Sequence, residues 1–210
     1  MKYPKIIILA QGGTHGDFLY SCGLLMLENR PTIINETGRA LGRSNFLQDN
    51  MYNFEGGVYR KKNYVFDTDI EVCHVWHEEF LKFNSKFYYI SFKDEHIPVI
   101  KKMFLAKVCK NNIDTAIESR KKFLPPAVAN KINKKNFDRY WTSSLKTGVK
   151  SYRKQPDVNK IDMIDLYNFE KLCSIMTHMG IFNENKTNKL KSMHQSWVEK
   201  NSEYITEILQ

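Results

Sequence analysis

Residues 5–19 read Lys5-Ile6-Ile7-Ile8-Leu9-Ala10-Gln11-Gly12-Gly13-Thr14-His15-Gly16-Asp17-Phe18-Leu19, and this stretch decides the fold. Its apolar start is short, β-branched and lacks polar alternation, so it predicts a strand buried on both faces. Gln11-Gly12-Gly13 ends it. From Asp17 the apolar residues Phe18, Leu19, Cys22, Leu25 and Met26 recur at helical spacing as far as Asn29-Arg30-Pro31. Strand, glycine turn and helix form the opening of an α/β sheet. In such sheets ligands bind beyond the carboxyl ends of the strands. Glycines there let backbone N–H groups approach an anion, and the helix N-terminus adds partial positive charge. The turn has no Walker A lysine and is not GxGxxG, and an ordinary tight strand-to-helix turn explains it as well.

Further along, Ile70–Trp76, Phe87–Phe92 and Val158–Ile164 are the next strand candidates. Helices are expected over Glu78–Phe83, from Asp94 to about Cys109, over Leu166–Met179 with Gly180 as C-cap, and from about Asn185 to Leu209. Residues 113–155 read as helix in pieces, broken at Pro125-Pro126 and near Gly148. Residues 31–62 read as an extended polar loop with at most one short helix. Strands alternating with helices imply a three-layer α/β fold with a mostly parallel central sheet of about four or five strands. No repeat or linker divides the 210 residues, so one domain is expected over 1–210, with a basic helical region at about 113–155.

Composition narrows the classes. The chain is 42% hydrophobic and 13% aromatic, too apolar for disorder. No apolar run approaches the ~18 residues of a membrane span, and the first is too short for a signal peptide, so a soluble cytoplasmic protein is expected. Cys22, Cys73, Cys109 and Cys173 lie 36 or more residues apart and read as buried thiols. The net charge of +9 is uneven: residues 101–160 hold 16 Lys/Arg against 4 Asp/Glu, and the rest is net negative. That block is either the footprint of a polyanion or a solvated basic face. Its aromatics Phe137, Tyr140 and Trp141 read as the inner side of an amphipathic helix. Nucleic acid is the less favoured partner, because no RNP, KH or helix-turn-helix pattern accompanies the charge.

The opening resembles the first strand and 5′-phosphosulfate loop of P-loop sulfotransferases, one branch of which carries lysine-Gly-Gly-Thr before its helix. Gly12, Gly13 and Thr14 match, and Gln11 falls where that lysine stands. IEVCHVW, with His74, resembles the strand ending in the family's catalytic histidine or acid. FYYISF with the following helix resembles the 3′-phosphate segment, where Lys93 and Lys101 stand in place of an arginine and a serine. IDMIDLYNFEKLCSIMTHMGI and KSMHQSWVEKN resemble late elements of small bacterial and phage members.

The resemblance implies sulfuryl transfer from 3′-phosphoadenosine 5′-phosphosulfate to a hydroxyl or amine of a small-molecule or glycan acceptor, without a metal. Gly12, Gly13, Thr14, His15, Gly16 and Asp17 would cradle the donor, joined by Lys93 and Lys101. His15 or Gln11 would replace the loop lysine, and His74 would be the base. A hydrogen-bonded structural role suits His74 equally well. A non-catalytic nucleotide or polyanion binder that keeps the fold is the alternative. The loop at 31–62, with Arg39, Arg43, Tyr52, Tyr59 and Arg60, is expected to shape the acceptor side. A zinc site at Cys73-His74-Val75-Trp76-His77 lacks further ligands. Asp67, Asp69 and Glu71 fit either a cation site or an exposed strand face.

Overall fold

The computed structural model describes residues 3–30, 32–40, 52–55, 58–61, 68–74, 76, 78–121 and 126–210. Four parallel strands form the central sheet: β1 (Ile6–Leu9), β4 (Ile70–Cys73), β5 (Lys86–Ser91) and β6 (Val158–Asp162), in the order β4-β1-β5-β6. Between them in sequence lies a separate antiparallel hairpin, β2 (Tyr52–Glu55) with β3 (Val58–Lys61). This hairpin corrects the reading of 31–62 as loop. The helices are α1 (Gly16–Glu28), α2 (Ile97–Cys109), α3 (Ile113–Lys121), α4 (Pro126–Ala129), α5 (Phe137–Arg153), α6 (Phe169–Met179), α7 (Thr187–Lys200) and α8 (Ser202–Leu209). None is long and apolar enough to cross a membrane.

The sheet splits its side chains by the period of two. Ile6, Ile8, Ile70, Val72, Tyr88 and Ile90 pack with α1, α2, α6 and α7, whereas Ile7, Leu9, Cys73, Phe87 and Tyr89 pack with Phe80, Phe83, Val149 and Tyr152. Every residue of β1 is buried, as a strand covered on both faces requires. Helix α5 joins the two cores: Phe137, Trp141 and Leu145 belong to the first, Val149 and Tyr152 to the second. It crosses the carboxyl ends of β1 and β4.

Several boundaries differ from the sequence reading, each for a visible reason. Strand β4 stops at Cys73 because its neighbour β1 stops at Leu9, the partner of Cys73 in the register. Residues Glu78–Lys82 and Met163–Tyr167 form 3₁₀ turns, and Asn168 starts α6 by accepting Lys171 N–H at 3.0 Å. The last helix breaks at buried Asn201, whose amide donates to the Gly38 and Trp197 carbonyls at 3.0 and 2.7 Å. Helix α5 runs straight through Gly148. A Cβ there would sit 2.2 Å from the Gln11 amide, so this glycine serves close packing rather than a break. Gly180 caps α6 at φ 77° as expected. Cys22, Cys73 and Cys109 are buried free thiols and Cys173 is half-buried.

Candidate functional site

Strand β1 is flanked by β4, its successor in the sheet, on one side and by β5 on the other, so the order reverses at β1. This is the switch point at which open α/β sheets bind ligands. A cleft of about 690 Å³ opens there, floored by Gln11, Gly12, Gly13, His15 and Gly16 and walled by α2, α5 and the 38–40 segment.

The turn is built for close approach. Gly13 has φ +90°, and a Cβ would stand 2.8 Å from the Ile100 carbonyl of α2. Gly16 sits against Ala10, where a Cβ would come within 2.4 Å of another Cβ. Thr14 is fully buried and its hydroxyl donates to the Gln11 carbonyl at 2.7 Å, closing the turn from behind. His15 takes the N-cap position in left-handed conformation, and no side chain caps the helix. The α1 N-terminus therefore presents backbone donors beside the cleft.

Four titratable or cationic side chains face this floor. Arg39 donates through Nε to Asp17 at 3.2 Å, holding a carboxylate in the first turn of α1. His15 lies edge-on to Trp197 and bonds Tyr167 through Nε2 at 3.0 Å. Burial, and then the charge of Lys107, push its pKa well below the ordinary histidine value. His74 follows the last residue of β4, and its Nδ1–H donates to the Ala10 carbonyl. That bond leaves Nε2 as the basic nitrogen of the neutral ring. Lys107 lines the cleft from α2, donates to Asn201 Oδ1 and lies 5.4 Å from the Tyr204 ring centroid. Burial lowers its pKa to about 8.

No family model, curated protein or solved structure matches this chain.

The structure brings Gln11, Gly12, Gly13, His15, Gly16, Asp17 and His74 around one cleft and leaves Thr14 behind its floor. Lys93 and Lys101 are not among the cleft-lining residues: Lys93 pairs with Glu95 at 3.1 Å and Lys101 with Asp138 at 2.6 Å. Gln11 has its amide engaged, donating to the His74 carbonyl at 2.8 Å and to the Tyr152 hydroxyl. Of the acceptor-loop residues, Arg39 lines the cleft, Arg43 lies outside the described residues, and Tyr52, Tyr59 and Arg60 are described in backbone only. His77 and Asp67 lie outside the described residues. Asp69 pairs with Lys5 at 2.9 Å, while Glu71 is buried and accepts from Thr68 at 2.6 Å, which corrects the exposed-face reading for Glu71. Among the described residues no three His, Cys, Asp or Glu side chains converge as a metal centre.

Two residues escaped the sequence reading. Lys107 appears there only as one more charge in a basic block, and Trp141 only as core. Trp141 is buried, lines the cleft and has no hydrogen-bond partner for Nε1–H among the described residues.

The histidine environment predicts acid sensitivity. His15, His96 and His194 all have pKa values lowered by burial, so the unfolded chain takes up protons near pH 6.5 that the folded chain refuses. Stability is therefore lost as pH falls below about 6.5. Urea unfolding at pH 7 and 5 should show the drop, and His15→Asn, which tolerates the left-handed backbone, should reduce it. Equal stability of the wild type at both pH values would contradict the assignment.

Proposed function

We propose that the cleft binds the phosphate end of a nucleotide-type donor and that the chain transfers a sulfuryl group from 3′-phosphoadenosine 5′-phosphosulfate to a hydroxyl or amine acceptor. The observation that carries this reading is the glycine turn. It opens an uncapped helix N-terminus into a cleft at the sheet's switch point, with a lysine reaching in from α2. The resemblance of the turn to the 5′-phosphosulfate loop supplies the reaction class.

In this reading the backbone N–H groups of Gly12, Gly13, His15 and Gly16 hold the donor phosphate, while the Thr14 N–H closes the turn on the Gln11 carbonyl at 3.1 Å. Lys107, rather than a loop residue, supplies the positive charge that stabilises the leaving oxygen as negative charge develops on it. His74 accepts the acceptor's proton at Nε2 while Ala10 fixes its tautomer through Nδ1. The acceptor oxygen or nitrogen forms its bond to sulfur, the sulfur–oxygen bond to the nucleotide breaks, and the electron pair leaves with adenosine bisphosphate. Arg39 neutralises Asp17, which would otherwise repel the anion.

One observation favours a second reading, a binder without turnover. The Gln11 amide is committed to His74 and Tyr152, so position 11 offers the donor neither charge nor a spare proton. The two readings share a binding test and differ in a product test. All three tryptophans of the chain, Trp76, Trp141 and Trp197, line the cleft, so ligand entry should change intrinsic fluorescence. Adenosine 3′,5′-bisphosphate is expected to give a saturable change that the sulfated donor competes away. Mass detection of a sulfated product across hydroxyl and amine acceptors then decides for transfer. Saturable binding with no product from any acceptor leaves the binder, and no fluorescence change at millimolar bisphosphate overturns both.

A further inference from the structure

Helix α5 divides into three sectors along its 17 residues. Phe137, Trp141, Leu145, Val149 and Tyr152 are buried in the cores. Ser144, Thr147, Gly148 and Ser151, with Gln155 just past its end, line the cleft. The third sector is cationic. Arg139, Lys146, Lys150 and Arg153 follow at spacings of seven, four and three residues, which a 3.6-residue turn places on one side. All four are exposed, as is Lys154 beyond them. The stripe is about 21 Å long at ~1.5 Å per residue.

Most of this charge is uncommitted. Lys146 pairs with Asp94 at 2.6 Å, whereas Arg139, Lys150, Arg153 and Lys154 have no carboxylate partner among the described residues. Beside the first half of the stripe lies a shallow groove lined by Asp138, Arg139, Thr142, Ser143, Lys146 and Thr147, in which the one carboxylate, Asp138, is paired with Lys101 at 2.6 Å. Thr147 also lines the cleft, so groove and cleft meet at that residue.

We propose that this face of α5 docks an acidic polysaccharide, its anionic groups on the cation stripe and its hydroxyls on Thr142, Ser143 and Thr147. The charge of the stripe is complementary to an anionic partner, and its length matches an extended one. The hydroxyl side chains between the cations both donate and accept, which matches sugar hydroxyls. Single-stranded nucleic acid fits less well, because it binds on aromatic platforms. The aromatic residues of α5 are buried or, for Tyr140, half-buried and turned to the cleft. The inference concerns the outer face of α5 and holds whether or not the cleft performs transfer.

Fluorescence anisotropy with a labelled oligogalacturonate, a labelled DNA duplex, a labelled DNA single strand and a labelled neutral dextran tests it on the full chain. The expected result is saturable binding of oligogalacturonate at ~0.15 M salt that weakens as salt rises. Dextran should not bind, and either DNA should bind more weakly than oligogalacturonate. The triple variant Arg139→Gln, Lys150→Gln, Arg153→Gln should lose about tenfold in affinity, while Lys191→Gln on α7 should bind like wild type. The three replaced side chains are exposed, so the melting curve should hold. If it does not, Lys150→Gln alone should still lose about twofold. Absence of oligogalacturonate binding, equal binding of dextran, or wild-type affinity in the triple variant would overturn the proposal. Tighter binding of either DNA would reassign the face to nucleic acid. Bisphosphate fluorescence on the same triple variant separates the two ideas, since the cleft should still bind its ligand.

Discussion

Replacing Lys107 with methionine is expected to lower affinity for adenosine 3′,5′-bisphosphate by about tenfold to a hundredfold at pH 7, the value of a charged hydrogen bond. The same change should flatten the pH dependence of binding. In the wild type, burial brings the ammonium down to about pH 8, so the cleft loses positive charge as pH rises through that value. Burial holds His15 neutral across this range, and the ligand's phosphates are fully ionised well below pH 8.

Stability should move the opposite way. Between pH 8 and 10.5 the unfolded lysine keeps its proton and the folded one does not, so folding gains as pH rises, by up to ~3 kcal/mol. Methionine fills the same space without charge, so it should abolish both trends at once. Fluorescence titrations and urea unfolding from pH 7 to 10 read the two effects. Wild-type affinity that stays level across pH 8 would remove Lys107 from the anion site.

What was legible in the sequence follows from how local each cause is. KIIILA shows its strand because a central parallel strand is apolar on both faces, whatever lies farther away. Gly180 shows a C-cap because the left-handed residue is a local need. The glycine turn showed itself for the same reason, through residues that must carry no side chain. Lys107 could not be found this way. Its place depends on α2 passing the turn, with the Ile100 carbonyl and Phe104 Cβ lying 2.8 and 3.3 Å from a Cβ at Gly13. One helical turn beyond Phe104 then brings residue 107 to the cleft. Lys93 and Lys101 lie earlier on the same segment and are drawn to Glu95 and Asp138. The break at Asn201 was hidden too, because its amide is satisfied by Gly38, more than 160 residues away in sequence.

Substituting lysine for Gln11 is the second large effect, and it tests whether position 11 is a ligand group or a clamp. By resemblance to the sulfotransferase loop, a lysine here would restore charge to the donor phosphate. The surroundings of Gln11 argue for a different result. The side chain is 6% exposed and packs where Gly148 has no Cβ, with its amide on the His74 carbonyl and the Tyr152 hydroxyl. Tyr152 also donates to the His74 carbonyl, so three residues tie the ends of β1 and β4 to α5. A lysine put into this seat keeps donors for both oxygens but brings a charge to a buried position at the cleft floor. Burying it costs several kcal/mol unless it deprotonates or swings out. Swinging out leaves the Tyr152 and His74 oxygens short of one donor each. Either way Gln11→Lys should destabilise the fold by about 2–4 kcal/mol and should not tighten bisphosphate binding. Gln11→Leu, which removes the donor without adding charge, should cost only about 1–3 kcal/mol. Urea unfolding ranks the three proteins, and fluorescence titration gives their affinities. If Gln11→Lys is as stable as wild type and binds bisphosphate more tightly, position 11 belongs to the ligand, and the clamp assigned to it is wrong.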